Sequence, residues 1–254
     1  MTLRERRSHA HLTADVRAHF WQPSMEDHEL NSLADYLGLV EMIAKDEIIL
    51  FRGQNCDSPL LPKIARPNPK RDTTDLEQAM LQEVRRRGAL LLDARLADDW
   101  ELLVYVQNFG MATRLLDWTS NPLVALWFAC QTDGPDGATY VFAVIGGKKD
   151  LLDRAADPTP FEGSRTKIFK PGLNNARIIA QSGWFTVHRY SSSTNRFVPL
   201  EQEFEFDDAL LKIKVPNKMH ADFLHRLDLL GVNYQSLFPD VEGLCKYITW
   251  LHTR

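Results

Sequence analysis

The chain has 254 residues, 44% of them apolar and 25% charged, which is the composition of a folded globular protein long enough to bury a substantial core. Thirty basic side chains stand against thirty-four acidic ones, a net charge of −4 that argues against strong nonspecific nucleic-acid binding and leaves room only for a local basic face.

The stretch to about residue 23 is polar and basic, with Arg4, Arg6 and Arg7, and is expected as an N-terminal arm. The remainder, 24–254, is expected as one domain. From Ser24 to Met42, Leu30, Leu33, Tyr36, Leu37 and Val40 recur at helical spacing, with Glu26 and Asp27 placed as a helix N-terminus prefers. A strand over Ile48–Phe51 then delivers Arg52. Four prolines between Pro59 and Asp72 predict an irregular surface loop carrying several basic groups. Thr74 and Glu77 have capping-box spacing for a helix reaching Leu91. Asp98 to Gln107 is a further helix, ended by Gly110.

Asn121-Pro122 reads as the cap and first residue of the next helix, which holds Leu123 to Phe128. The Gly134-Pro-Asp-Gly137 turn leads into a strand over Ala138–Ile145, and short strands are expected near Ile178 and over Trp184–His188. Leu210 to Val215 alternates as a half-buried strand, and His220 to Leu230 is helical. Helices dominate the first half and strands the second, which predicts a single α+β domain with a mostly antiparallel sheet.

Cys56, Cys130 and Cys245 are odd in number and in no metal-ligand spacing, so free thiols, a reducing compartment and no metal are expected. No apolar run approaches the roughly 18 residues of a membrane span, and Met1 to Arg7 lack an apolar signal core. A cytoplasmic location without a membrane partner follows as the expectation.

The most informative stretch is Thr113-Arg-Leu-Leu-Asp-Trp-Thr119, where Arg114 and Asp117 lie within strongly apolar sequence. Buried charges cost several kcal/mol unless paired, so a fixed polar site is expected, with Arg114 and Asp117 facing each other across one turn. Trp118 offers either a core ring or a stacking face. Arg52, before Gly53, suits bidentate recognition of a phosphate or carboxylate, or else pairs internally with an acid such as Asp117. Gln181-Ser-Gly183 sits between two strand-like runs, where the carboxamide would orient a hydroxyl or a base edge. His188 shares its strand face with Thr186 and Trp184 and reads as structural.

Four ordered motifs resemble the FRG domain family: Leu50-Phe-Arg-Gly-Gln54 with Leu60-Leu-Pro62, the Thr113–Thr119 stretch, Arg177 to His188, and Leu237-Phe-Pro-Asp-Val-Glu-Gly243-Leu. The resemblance runs from about Glu26 to the C-terminus. It departs from the pattern at Asn108, where the family shows His after Gln107, and at Ala112, where it shows Pro. Asn108 replaces a hydrogen-bond donor but not an acid or base.

At greater distance the order of residues resembles the ADP-ribosyltransferases. There a strand-borne Arg holds NAD, a Ser/Thr strand with an aromatic shapes the nicotinamide pocket, and a later Glu steadies the ribosyl cation. The resemblance implies an ADP-ribosyltransferase-like fold and NAD as substrate. Arg52, Thr119 and Gln181 would be catalytic, and Arg52, Gly53, Arg114, Trp118, Thr119 and Ser120 would bind the nucleotide. A neutral Gln181 stabilises a cation less well than a carboxylate. Asp117 and the Glu201-Gln-Glu203-Phe-Glu205 run are the substitutes, the run reading first as a solvated acidic face. The implied function is nucleotide binding, with transfer of ADP-ribose to a protein or nucleic acid in a toxin or phage-defence setting. The alternative is a noncatalytic module for phosphate, nucleic acid or protein, with Arg52, Arg114 and Arg177 lining the pocket.

Overall fold

The structure is a computed structural model that describes residues 28–44, 48–92, 96, 98–163, 165–173, 175–203, 206 and 210–253. The expected N-terminal arm, the helix start at Ser24 and Glu205 lie outside the described residues. In chain order the elements are β1 (His28–Glu29), α1 (Leu33–Ile43), β2 (Ile48–Gln54), α2 (Thr74–Arg87), α3 (Asp99–Asn108), β3 (Leu115–Thr119), α4 (Pro122–Ala129), β4 (Ala138–Gly146), β5 (Lys167–Phe169), α5 (Ala176–Ala180), β6 (Gly183–Val187), β7 (Tyr190–Ser191), β8 (Arg196–Phe197), β9 (Leu210–Pro216), α6 (His220–Leu229), α7 (Tyr234–Leu237) and α8 (Val241–Thr253). This is the expected α+β domain. None of the described helices is long and apolar enough to cross a membrane.

Seven strands form one sheet in the order β1-β9-β4-β2-β3-β6-β5. Only β1 and β9 are parallel; every other neighbour is antiparallel. β4 is buried along almost its whole length, as a central strand covered on both faces must be. On one face Leu50, Leu116, Trp118, Phe142 and Ile168 make a continuous layer across both halves of the sheet. The other face is split. α1, α4 and α6 cover the β9-β4-β2 half through Phe51, Val124, Val141 and Phe223, whereas α2 and α3 cover the β3-β6-β5 half through Leu81, Trp100, Leu115 and Phe185.

The split coincides with the weakest seam of the sheet, where β2 and β3 share a single pair, Phe51 opposite Thr119. Gly53, next along β2, lies against α4: an added Cβ would come within 2.1 Å of the Ala125 carbonyl and 2.5 Å of the Ala129 amide. Its lack of a side chain therefore serves strand–helix contact.

Local chemistry moves several element boundaries. α1 begins at Leu33, because Ser32 accepts from the Asp35 amide at 3.0 Å, while His28 and Glu29 pair with β9. α2 ends at Arg87 with Gly88 as cap, leaving Leu90 and Leu91 exposed. Its capping box does not form, since Glu77 turns into the interior. Gly110 ends α3 as expected, in the left-handed region at φ +94°. The strand expected near Ile178 is instead the short helix α5, started by Asn175, whose side chain accepts from the Arg177 amide. The Pro59–Asp72 loop is irregular but not wholly at the surface: Leu60, Leu61, Ile64 and Ala65 are buried.

Candidate functional site

Asp117 is the one exposed position of β3, flanked on both sides by buried residues. Its side chain is 62% exposed although β3 runs between two sheet neighbours, so the sheet is uncovered at this point, between the helices of its two halves. Gln107, from the last turn of α3, donates to the Asp117 carboxylate at 2.6 Å and accepts from the Thr113 hydroxyl. The carboxylate is thus fixed in direction while it stays open to solvent.

Arg52 fills the seam beside it. Its Nη1 donates to the Asp117 carbonyl at 2.9 Å and lies 4.0 Å from the carboxylate, and its Nε donates to Gln54 Oε1 at 3.3 Å. Gln54 is held in turn by the Cys56 and Ser58 carbonyls. The guanidinium is only 14% exposed. Burial pushes it down to about 10, with Asp117 opposing the shift and Arg66 adding to it, so it is charged at neutral pH. Nη2 has no protein partner among the described residues. The sequence marks Gln54 only as the end of the Leu50–Gln54 motif and gives Arg66 no role, and the spacing of two between Arg52 and Gln54 on one strand face is the available signal.

Arg114 has a different place. It is buried at 1% exposure; Nε and the backbone amide both donate to Glu77 at 2.7 Å, Nη1 to the Pro160 carbonyl and Nη2 to Thr74. Phe161 covers its face at 4.8 Å. The expected Arg114–Asp117 pair does not form, because this segment is extended and residues three apart leave an extended chain on opposite sides. With its donors occupied, Arg114 is a structural group and not a nucleotide ligand. Burial raises the Glu77 carboxyl, against the pull of Arg114.

The other expected residues are mostly consumed by the fold. Trp118 is a core ring, 3% exposed, donating through Nε1 to Thr186 at 3.0 Å, so it presents no stacking face. The Thr119 hydroxyl donates to the Gln181 carbonyl at 2.7 Å and accepts from the Asn121 amide. Gln181 caps α5, and its side-chain amide donates to the Leu237 carbonyl at 3.1 Å. Ser120 is exposed, its amide bound to the Ser182 carbonyl. Ser182 itself adopts φ +48° at the turn into β6, a conformation uncommon for a residue with a side chain. Arg177 pairs with Asp240 at 2.7 Å and lies over Phe238, so it ties α5 to the C-terminal motif and does not line the site.

His188 is fully buried beneath this region. The Thr186 hydroxyl, which accepts from Trp118 Nε1, also lies 3.0 Å from His188 Nε2, with the direction of that bond set by the ring tautomer. Nδ1 has no hydrogen-bond partner among the described residues, while the Val198 backbone favours the charged ring. Burial pushes the ring down to about 3, with Arg52 adding to the shift. The acidic run is not a solvated face either: Glu201 accepts from the Leu60 amide and Glu203 from the Thr166 hydroxyl.

The four motifs therefore meet in one contiguous region, joined by Arg52–Asp117, Thr119–Gln181 and Gln181–Leu237. A separate shallow hollow between Trp127, Tyr234 and Trp250 shares none of these residues and is lined by no charged side chain. No curated protein and no solved structure matches the chain. Residues 47–137, which carry Arg52, Gln54, Glu77, Gln107, Arg114 and Asp117, match the family model of the FRG domain.

Proposed function

We propose that the seam between β2 and β3 binds a nucleotide-like ligand, NAD first, with Arg52 on a phosphate. The observation that carries this is the half-committed guanidinium: Nη1 and Nε are held by Asp117 and Gln54 while Nη2 is unclaimed among the described residues. A cation whose orientation is already fixed loses little freedom on taking up a phosphate. Exposed Arg66 lies close enough to influence the charge of Arg52 and extends the positive potential toward the Pro59–Asp72 loop.

The reaction this reading supports is transfer of ADP-ribose to a protein or nucleic acid, the act of a toxin-like or phage-defence effector in the cytoplasm. The bond between ribose C1′ and the nicotinamide nitrogen breaks, its electron pair leaves with nicotinamide, and an acceptor nucleophile bonds to C1′ and gives up its proton. Asp117 supplies the fixed negative charge beside the developing cation; Gln181, neutral and bound to Leu237, does not. That neutrality favours the second reading, a module that binds the nucleotide without turnover.

Calorimetry with NAD and ADP-ribose, beside incubation with labelled NAD and protein or nucleic-acid acceptors, decides between them. Binding lost in Arg52→Ala is expected, with label transfer lost in Asp117→Asn. Binding without transfer establishes the module, and a folded protein that binds neither ligand overturns both.

A further inference from the structure

We propose that Arg189 forms a second site, for a compact oxyanion of the phosphate or carboxylate type, beneath the segment that ends at Gly163. Arg189 follows β6 and is 5% exposed. Its Nη1 donates to the Pro160 carbonyl, the same oxygen that receives Arg114 Nη1. Its Nε and Nη2 are buried and have no hydrogen-bond partner among the described residues. Those two nitrogens form one edge of the guanidinium, the pair that grips a carboxylate or phosphate with two parallel hydrogen bonds.

Charge points the same way. Arg114 and Arg189 lie together, Glu77 answers the first, Asp157 is matched by Lys167 at 2.6 Å, and exposed Glu162 acts on Arg189 only from beyond ion-pair distance. One buried positive charge is left without a carboxylate inside ion-pair distance among the described residues. Burial, reinforced by Arg114, lowers Arg189 to about 10, which leaves it protonated at neutral pH. A buried unpaired ion is among the costliest features a fold can hold, and an anion bound from solution removes that cost.

The cover suits an occupant as well. Gly163, at φ +122°, lies on the guanidinium: a Cβ there would stand 3.2 Å from Cζ and 3.4 Å from both Nε and Nη2. Cζ is the nearest atom and both nitrogens are farther, so that Cβ would stand over the face of the guanidinium, and glycine lets the segment lie flat on the ion. Glu162 and Gly163 are exposed, so the edge lies one layer below the surface. The segment is pinned farther back, where Trp100 donates to the Asp157 carbonyl. This site is independent of Arg52: along β6 and its continuation His188 faces the Arg52 side, while Arg189 turns to Trp100 on the other.

The test is thermal melting of the full chain in a weakly coordinating buffer, with inorganic phosphate or acetate titrated against sodium chloride at equal ionic strength. A saturable rise of roughly 3–6 °C at ten times the dissociation constant is expected for one or both oxyanions, and which of them acts identifies the source chemistry. The rise persists in Arg52→Ala, which removes any phosphate held at the seam, and disappears when Arg189→Met is added to that variant; Arg189→Met alone melts no lower than the parent without anion. Hydrogen exchange on the parent protein supplies the second measurement, should Arg189→Met not fold: amides around 160–163 slow at least several-fold on saturation. Melting indifferent to both anions, a rise that survives Arg189→Met in the Arg52→Ala background, or a rise lost in Arg52→Ala overturns the proposal, as does unchanged exchange at 160–163.

Discussion

Arg52 and Arg114 both adjoin strands that meet at one seam, and the fold treats them in opposite ways. Arg114 is closed: every nitrogen of its guanidinium has an acceptor, and its carboxylate comes from Glu77, 37 residues away on another element. Arg52 is open: its contacts are a backbone carbonyl and a carboxamide, its nearest carboxylate lies at 4.0 Å, and that carboxylate faces solvent. A closed ion pair holds a fold together, since any missing partner leaves a charge in the interior. An open one has unused capacity, and that is what a ligand needs.

The largest effect that separates the two falls on Glu77. Removing it in Glu77→Ala strands Arg114, already beside Arg189, and should cost about 3–5 kcal/mol, read as a lower urea midpoint with unchanged slope. Asp117→Ala should leave the midpoint at the parent value. Equal losses in the two variants would break the distinction between closed and open arginine.

Next in size is the pH dependence set by the buried layer under Arg52. His188 is held at about 3, below its ordinary value near 6.5. The unfolded chain therefore binds the proton first, and stability falls as pH drops below about 6.5 and keeps falling toward 3. At pH 5 the loss from this group is about 2 kcal/mol. His220, also lowered by burial against the pull of Asp133, acts in the same direction. Parent and His188→Gln, melted at pH 7 and pH 5, should differ in slope, the variant being less acid-sensitive. Identical slopes would mean that His188 is not held neutral.

Much of the fold was legible because capping residues and alternation are local signals: Asn121-Pro122, Asp98 and Gly110 mark their helix ends as expected. The convergence of the motifs was legible too, since polar residues embedded in apolar runs have few ways to be satisfied apart. What failed was partner assignment. Glu77 has the spacing of a capping box, and nothing local tells a cap from a buried counter-ion. Arg114 and Asp117 are near in sequence, but that nearness carries opposite meanings in a helix and in a strand. Ile178-Ile179 reads as strand until the helix-starting hydrogen bond of Asn175 and the 56% exposure of Ile179 are seen. Arg189 gave no signal, because an orphaned donor is visible only once its surroundings are built.

A smaller effect belongs to Arg177. It joins α5 to the C-terminal motif through Asp240, whose carboxyl is held below the usual range by the Gly243 amide and then by Arg177. The pair is substantially exposed, and exposed pairs contribute little. Arg177→Ala should lower the melting temperature by no more than roughly 2 °C, and a double-mutant cycle with Asp240→Asn should return a small coupling. A large coupling would place Arg177 with Arg114 among the closed group.

The smallest effect on stability is expected where the effect on ligand is decisive. Asp117→Asn keeps the size of the side chain and an oxygen for Gln107, and its exposure predicts a change within about 0.5 kcal/mol. It also leaves the Asp117 carbonyl, so the Nη1 bond of Arg52 survives. What the substitution removes is a negative charge, fixed in direction by Gln107 and 4.0 Å from the guanidinium. If the site only binds nucleotide phosphates, losing a carboxylate that repels them leaves affinity unchanged or raises it. If it also transfers ADP-ribose, turnover should fall at least tenfold while affinity holds, because a charge acting on the developing ribosyl cation counts in the transition state and not in the ground state. Calorimetry and label transfer on this one variant therefore divide binding from catalysis. A loss of affinity without a change in turnover per bound ligand would show that Asp117 contacts the ligand directly and that the open arginine is not the principal anchor.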